Sequence, residues 1–311
     1  MDVRTEFHGL KTEYPRIMLG LGNFDGVHRG HQELISNVVK RARANGCTPA
    51  IFTFNPHPLA VLRPEAAPPL LLSPKARERL IERLGVELLL AVPFTLDFAR
   101  LLPEEFAARV LVRELGVKAV FVGYNYTFGY KGKGTPETLK KLGALHGFEV
   151  YIIPPVSIDG RVVSSTLIRE ELFAGRIEEA RKLLGYHPFV EGVVVQGDRR
   201  GRSLGFPTAN LELTESLLTP PNGVYAVKVQ LDGETYLGVA NVGLRPTFKG
   251  NNNDYRNIEV HLFDFQGDLY GVPIRVLFQR RLRDEKKFAS VQDLIRQIED
   301  DIRAARAVNV D

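Results

Sequence analysis

At 311 residues, 44% hydrophobic and 25% charged, the chain has the composition of folded globular protein and length enough for two cores, which excludes disorder. Its one cysteine, Cys47, excludes an internal disulfide and a cysteine-built zinc site and fits a reducing cytoplasm; no run approaches the ~18 apolar residues of a membrane span, and MDVRTEFHGLKTEYPR lacks a signal peptide's apolar core. The formal charge of +4 is scattered, clustering only at Arg199, Arg200 and Arg202 and at Arg280, Arg281 and Arg283, so it suits pockets for anionic small molecules better than a nucleic-acid surface.

From the N-terminus, residues 17–21, 50–54, 87–92, 118–122 and 149–153 read as buried strands, with helical patterns between them. Ser73 can cap a helix with Pro74 at its first position and Gly85 at its end; Thr135-Pro136 opens another that Gly147 closes. Strands separated by helices predict an α/β fold, a doubly wound parallel sheet with ligands beyond the strands' C-terminal ends. The loops after Leu21, Phe54 and Val122 then lie on the functional edge. A helix over 177–184 leads to Gly185-Tyr186-His187-Pro188, a domain boundary, which gives domains of 1–184 and 187–311.

Beyond it the pattern becomes all-β. Residues 190–195, 224–231, 236–242, 258–265 and 274–278 are strand-like, and Asp232-Gly233 is a hairpin turn. Closely spaced strands predict an antiparallel barrel. A last helix, capped by Ser290, carries Val291, Leu294, Ile295, Ile298 and Ile302 as one apolar stripe.

The first chemical segment is GLGNFDGVHRGH, residues 20–31. A dinucleotide fingerprint would need glycine where Asp25 stands, so that reading fails. What remains is His28 and His31, three residues apart on one face at a helix start, where free N–H groups favour phosphate. TFNPHP (53–58), FVGYNYTFG (121–129) and SSTLIR (164–169) follow in order. Alone, each is equally a strand-ending turn, a core strand end or a helix cap.

Together, these four segments resemble the His-x-x-His nucleotidyltransferase signature of prokaryotic bifunctional riboflavin kinase/FMN adenylyltransferases (FAD synthetases). The resemblance implies that FMN's phosphate attacks the α-phosphorus of ATP and pyrophosphate leaves. It assigns ATP to Gly22, Asn23, Phe24, Asp25, His28, His31, Ser164, Ser165, Thr166 and Arg169, with the two histidines catalytic. It assigns flavin to Asn55, Pro56, His57, Pro58, Asn125, Tyr126 and Phe128, the two rings bracketing the isoalloxazine. Many members carry Asp-Phe where this chain has Asn125-Tyr126.

In the second half, GDRRGRSLGFPTAN (197–210) is a Gly/Arg-rich loop without the Gly-Lys-Ser/Thr ending of a P-loop. With GVYA (223–226), GVANVGLRPTF (238–248) and DLYG (268–271), it is similar to riboflavin kinases. The likeness implies ATP contacts at Gly197, Gly201, Arg202, Gly205, Pro207 and Thr208, and Mg²⁺ accompanying ATP on Thr208 and Asn210. Riboflavin's 5′-hydroxyl is a weak acid, so this step needs a base. The strand alternation puts Glu259 and His261 opposite Ile258, Val260 and Leu262, and the likeness makes Glu259 that base; Arg283 is expected to close over flavin. Expected partners are ATP, riboflavin, FMN and FAD in the cytoplasm, with no nucleic acid and no membrane. An adenylyltransferase for another phosphate acceptor fused to an unrelated barrel, and an RNA-binding barrel, are the competing readings.

Overall fold

Apolar runs without polar alternation are buried on both faces, and the first half of the chain is built from them. The computed structural model describes residues 1–197, 204–213, 217–244 and 256–308, in two units, Met1–Ser164 and Ser165–Asp311. In the first unit, β1 (Asp2–Arg4), β2 (Ile17–Leu21), β3 (Thr48–Phe54), β4 (Leu88–Val92), β5 (Val117–Gly123) and β6 (Glu149–Ile153) form one parallel sheet, ordered β1-β4-β3-β2-β5-β6. Every residue of β2 and β4 is buried. The helices are α1 (Leu10–Glu13), α2 (Arg29–Ala44), α3 (Pro58–Leu62), α4 (Pro74–Arg83), α5 (Pro103–Glu105, running on as a π-helical stretch over Phe106–Glu114) and α6 (Pro136–His146). A two-strand hairpin, β7 (Ser157–Ile158) and β8 (Arg161–Val162), follows β6.

The doubly wound sheet is as expected, with one strand more than the sequence predicts. The extra one, β1, is a three-residue edge strand, too short to show a period. Strand β2 has β3 on one side and β5 on the other, so the order reverses there and leaves a crevice at the strands' C-terminal ends. The helix punctuation acts as read. Ser73 Oγ accepts from the Ala76 N–H at 3.2 Å, Thr135 Oγ1 from the Thr138 N–H at 3.2 Å, and Gly147 closes α6 at φ 81°.

The second unit begins with α7 (Ser165–Phe173) and α8 (Ile177–Leu184). A closed antiparallel barrel follows: β9 (Phe189–Val195), β10 (Ala209–Leu213), β11 (Gly223–Leu231), β12 (Glu234–Leu244), β13 (Arg256–Leu262) and β14 (Pro273–Arg283), ordered β10-β13-β12-β11-β14-β9. Alternate residues fill its interior, among them Tyr225, Val227, Ile258, Val260, Val276 and Phe278. Asp232 and Gly233 both take positive φ, 48° and 87°, as a two-residue turn between β11 and β12 requires.

Two expectations need correction. Strand β13 stops at Leu262 rather than 265, because Asp264 turns the chain at φ 59°. Ser290 does cap α9 (Val291–Val308), its Oγ accepting from the Asp293 N–H at 3.1 Å, but Val291 is 54% exposed. The stripe packs at its C-terminal end, where Ile302 and Val308 join Ala305 against Val224, Ala226, Val239 and Phe263.

Candidate functional site

The turn after β2 carries the first site. Gly22 donates its N–H to Phe52 O at 3.2 Å, and Phe24 and Val27 take positive φ of 52° and 35°, a conformation that costs a side-chain-bearing residue energy. Asp25, 4% exposed, anchors this turn: its carboxylate accepts from the Leu71 N–H at 3.0 and 3.3 Å. The turn delivers His28 to the N-cap of α2, where Nδ1 accepts from the His31 N–H at 3.3 Å. An accepting Nδ1 puts the proton of the neutral ring on Nε2, a donor beside the helix N-terminus. The two imidazoles stack, centroids 3.6 Å apart and 15° from parallel, with Phe24 fully buried 5.2 Å from His31.

His31 is half-buried, with Nδ1 shut from solvent and without a hydrogen-bond partner among the described residues. Burial first, then the charges of His28 and Arg77, hold its pKa well below the ordinary 6.5, so the ring is neutral at pH 7. Buried polar atoms are normally hydrogen-bonded, so this unpaired nitrogen is an exception at the start of α2.

Strand β3 ends beside this turn. The Asn55–Pro56 peptide is cis, Asn55 donates its N–H to Val92 O at 3.0 Å, and Pro58 starts α3. His57 caps α3, its Nδ1 accepting from the Leu59 N–H at 3.2 Å, while its Nε2 meets the side-chain amide of Asn23 at 3.2 Å. Asn23 and His57, expected for different ligands, are therefore neighbours. Arg77 on α4 locks the same two loops. Its guanidinium donates to Asn23 O at 3.0 Å and Phe54 O at 3.1 Å, and Thr53 Oγ1 adds a 3.0 Å bond to Asn23 O. Sequence reading missed Arg77, which looks like any cation of a charged helix; only its 7% exposure sets it apart.

After β5, Asn125 is exposed, and Tyr126 stacks on Phe128 with centroids 5.9 Å apart and 13° between planes. At this separation the two rings leave no space for a flavin between them. A guest between them needs about 7 Å, twice the ~3.5 Å contact distance of carbon atoms. Phe128, 7% exposed, packs in the core against Phe106 at 5.7 Å, and Tyr126 packs against the same core.

In the second unit, Ser165 opens α7, Thr166 follows in its first turn, and Arg169, 9% exposed, lies one turn on; Ser164 precedes the helix. Glu171, fully buried on the same helix, pairs with Arg176, an ion pair the sequence does not announce.

The barrel carries the second site on β10 and β13. Their register pairs Asn210 with Glu259, and β12 brings Asn241 opposite Glu259 on the other side. Glu259 lies on the face predicted for it: Ile258, Val260 and Leu262 are buried while Glu259 and His261 are half-buried. Asn257, two residues before Glu259 on that face, donates to its Oε1 at 2.8 Å and approaches Asn210 Oδ1 at 3.5 Å. Asn257 was missed, although its i−2 spacing was the available signal. Gly197 backs Asn210 so closely that a Cβ there would stand 2.1 Å from Asn210 Nδ2. Pro207 and Thr208 lead into β10, Gly205 turns the chain before them at φ 89°, and the Pro207 carbonyl meets His261 Nδ1 at 2.8 Å. Gly201 and Arg202 lie outside the described residues. Arg283, expected over flavin, pairs with Asp301 on α9 through Nε at 2.9 Å and Nη2 at 2.7 Å, 5.8 Å from the Phe288 ring.

Each half has its own relatives. Residues 10–167 match the family model of FAD synthetase, and residues 184–309 that of riboflavin kinase. The chain is 40% identical over 300 residues to the bifunctional riboflavin kinase/FMN adenylyltransferase of Bacillus subtilis, covering 96% of this chain and 94% of that one. The Escherichia coli protein of the same name is 39% identical over 291 residues, with 93% and 91% covered. A crystal structure described as a macrolide-efflux protein from Streptococcus pneumoniae shares the fold at a TM-score of 0.86 and 35% identity, over 98% of both chains. Among the described residues, no helix is long and apolar enough to cross a membrane. A parallel sheet with paired histidines at its crevice and a barrel presenting a glutamate beside an asparagine thus stand in one chain that matches both models in order, and the chain belongs to the bifunctional riboflavin kinase/FMN adenylyltransferases, which phosphorylate riboflavin to FMN and adenylate FMN to FAD.

Proposed function

We propose that the two steps divide between 1–184 and 187–311, each half with its own phosphate-handling residues. In the N-terminal half, FMN's phosphate is already ionised near neutral pH, its second pKa being about 6, and needs no base. Catalysis there is positioning and charge stabilisation. His28, with its Nε2–H, and the neutral His31 act on ATP as hydrogen-bond donors at the N-terminus of α2, aided by the backbone of Gly22 to Asp25. Ser164, Ser165, Thr166 and Arg169 take the β- and γ-phosphates. Flavin lies against Asn55–Pro58, Asn125 and the Tyr126–Phe128 ring pair.

In the C-terminal half, Glu259 draws the proton from riboflavin's 5′-hydroxyl, and that oxygen attacks the γ-phosphorus of ATP. The carrying observation is the pairing of Asn210 with Glu259 across two strands, which joins a neutral oxygen ligand and a base at one spot. Mg²⁺ takes hard oxygen donors, and Asn210, 6% exposed, offers Oδ1 beside the Glu259 carboxylate. Thr208 and Asn210 would hold the ion with ATP, and it would supply neutralisation of phosphate charge. Cys47, the one cysteine, fits the cytoplasm as the place of action. Replacing Glu259 with Gln tests the division: riboflavin phosphorylation should be lost while supplied FMN is still adenylated, and unchanged phosphorylation would remove Glu259 from the mechanism.

A further inference from the structure

We propose that His261 is a positioning residue of the kinase half, holding the Pro207 carbonyl and thereby fixing where Thr208 stands beside β13. The inference rests on the reading of Thr208 as an oxygen ligand of Mg–ATP.

Strands β10 and β13 pair from Ala209 with Val260 and Asn210 with Glu259. The next residues upstream, Thr208 and Pro207, are outside the ladder, and proline has no N–H to extend it. Thr208 is thus the first residue beyond regular pairing, and strand hydrogen bonds alone do not set its place. The His261 side chain does what the ladder cannot: its Nδ1 meets the Pro207 carbonyl at 2.8 Å. A carbonyl only accepts, so Nδ1 carries the hydrogen, and in the neutral ring Nε2 is then an acceptor. Two rings brace the imidazole, Phe206 edge-on at 5.9 Å and Phe263 at 5.7 Å.

His261 and Glu259 share one face of β13, two residues apart. One short strand therefore carries the base, the amide of Asn257 that orients it, and the imidazole that tethers the Thr208 segment. A displaced tether would move Thr208 relative to Glu259 without touching the base.

Amide side chains separate this role from simple packing. Asn can present an N–H where Nδ1 donates, whereas Gln reaches towards Nε2. In the full-length chain, riboflavin phosphorylation is measured against Mg–ATP concentration for His261→Asn, His261→Gln and His261→Ala, with Thr208→Ala as reference and the urea midpoint of riboflavin phosphorylation as the folding control. Losing one such hydrogen bond should raise the KM for Mg–ATP roughly five- to tenfold in the Gln and Ala variants, with kcat changed less. The Asn variant should stay within about threefold of wild type, since it keeps the donor. Gln or Ala variants with wild-type KM, or an Asn variant as impaired as Ala, would overturn the role of His261. If those results accompany a raised KM in Thr208→Ala, only the tether fails; if Thr208→Ala is itself indistinguishable from wild type, the metal reading of Thr208 fails and takes the tether with it.

Discussion

Replacing Arg77 with methionine keeps the length of the side chain and removes its fork. Two backbone carbonyls, those of Asn23 and Phe54, then lose charged donors now at 3.0 and 3.1 Å. Hydrogen bonds from charged groups contribute about 1.5–3 kcal/mol each, so the pair amounts to roughly 3–6 kcal/mol. Asn23 is exposed and its carbonyl keeps the bond from Thr53 Oγ1, so the loss falls at the lower end of that range. That is a large share of the ~5–15 kcal/mol that keeps a domain folded. With a urea slope near 2 kcal/mol per M, the midpoint should fall by roughly 1.5 M. The assay is a urea titration read by both activities in one tube. FMN adenylation should fail at lower urea, riboflavin phosphorylation should keep its own midpoint, and Arg77→Lys should fall between methionine and wild type. An adenylation midpoint within about 0.25 M of wild type would refute the claim that Arg77 locks the two loops.

His31 gives a pH signature. Its folded pKa lies well below the unfolded 6.5, so the unfolded chain binds the proton first. Its contribution is intact above pH 6.5 and is lost as pH falls below it, by at most about 1.4 kcal/mol per pH unit, and His31→Asn should flatten that slope; equal slopes for the two proteins would contradict the burial of a neutral ring. At the kinase site, Gly197→Ala would bring a Cβ to 2.1 Å from Asn210 Nδ2 and 2.4 Å from its Cγ, so the amide has to swing away. Riboflavin phosphorylation should drop about tenfold or more with adenylation of supplied FMN unchanged, and full kinase activity would show that Asn210 is dispensable.

Features with strong local causes were legible in the sequence. The bounds of β2, β6 and α8 follow from apolar pattern and Gly/Pro punctuation, and Asp232-Gly233 makes the turn its residue types favour. Features set by distant partners were not. Strand β1 exists because β4 offers an edge, and the five-residue β10 because β9 and β13 flank it. Val291 completes a helical stripe on paper yet stands out in solvent, because the barrel meets α9 near Ala305. The same holds for the sites. Glu259 and Asn210 each stand out in their motifs, but only the β10–β13 register makes them neighbours. Arg283 is expected over flavin, and its pairing with Asp301, 18 residues on, is not visible in the sequence. Tyr126 and Phe128 suggest a clamp because spacing does not reveal that their rings fill each other's space.

The proposed division into two sites, each with its own nucleophile, is tested most directly by removing one. The full-length double variant His28→Ala/His31→Ala, given riboflavin and Mg–ATP, should accumulate FMN at the wild-type rate and form no FAD. FAD appearing as fast as in the unaltered protein would contradict the assignment of adenylyl transfer to the paired imidazoles.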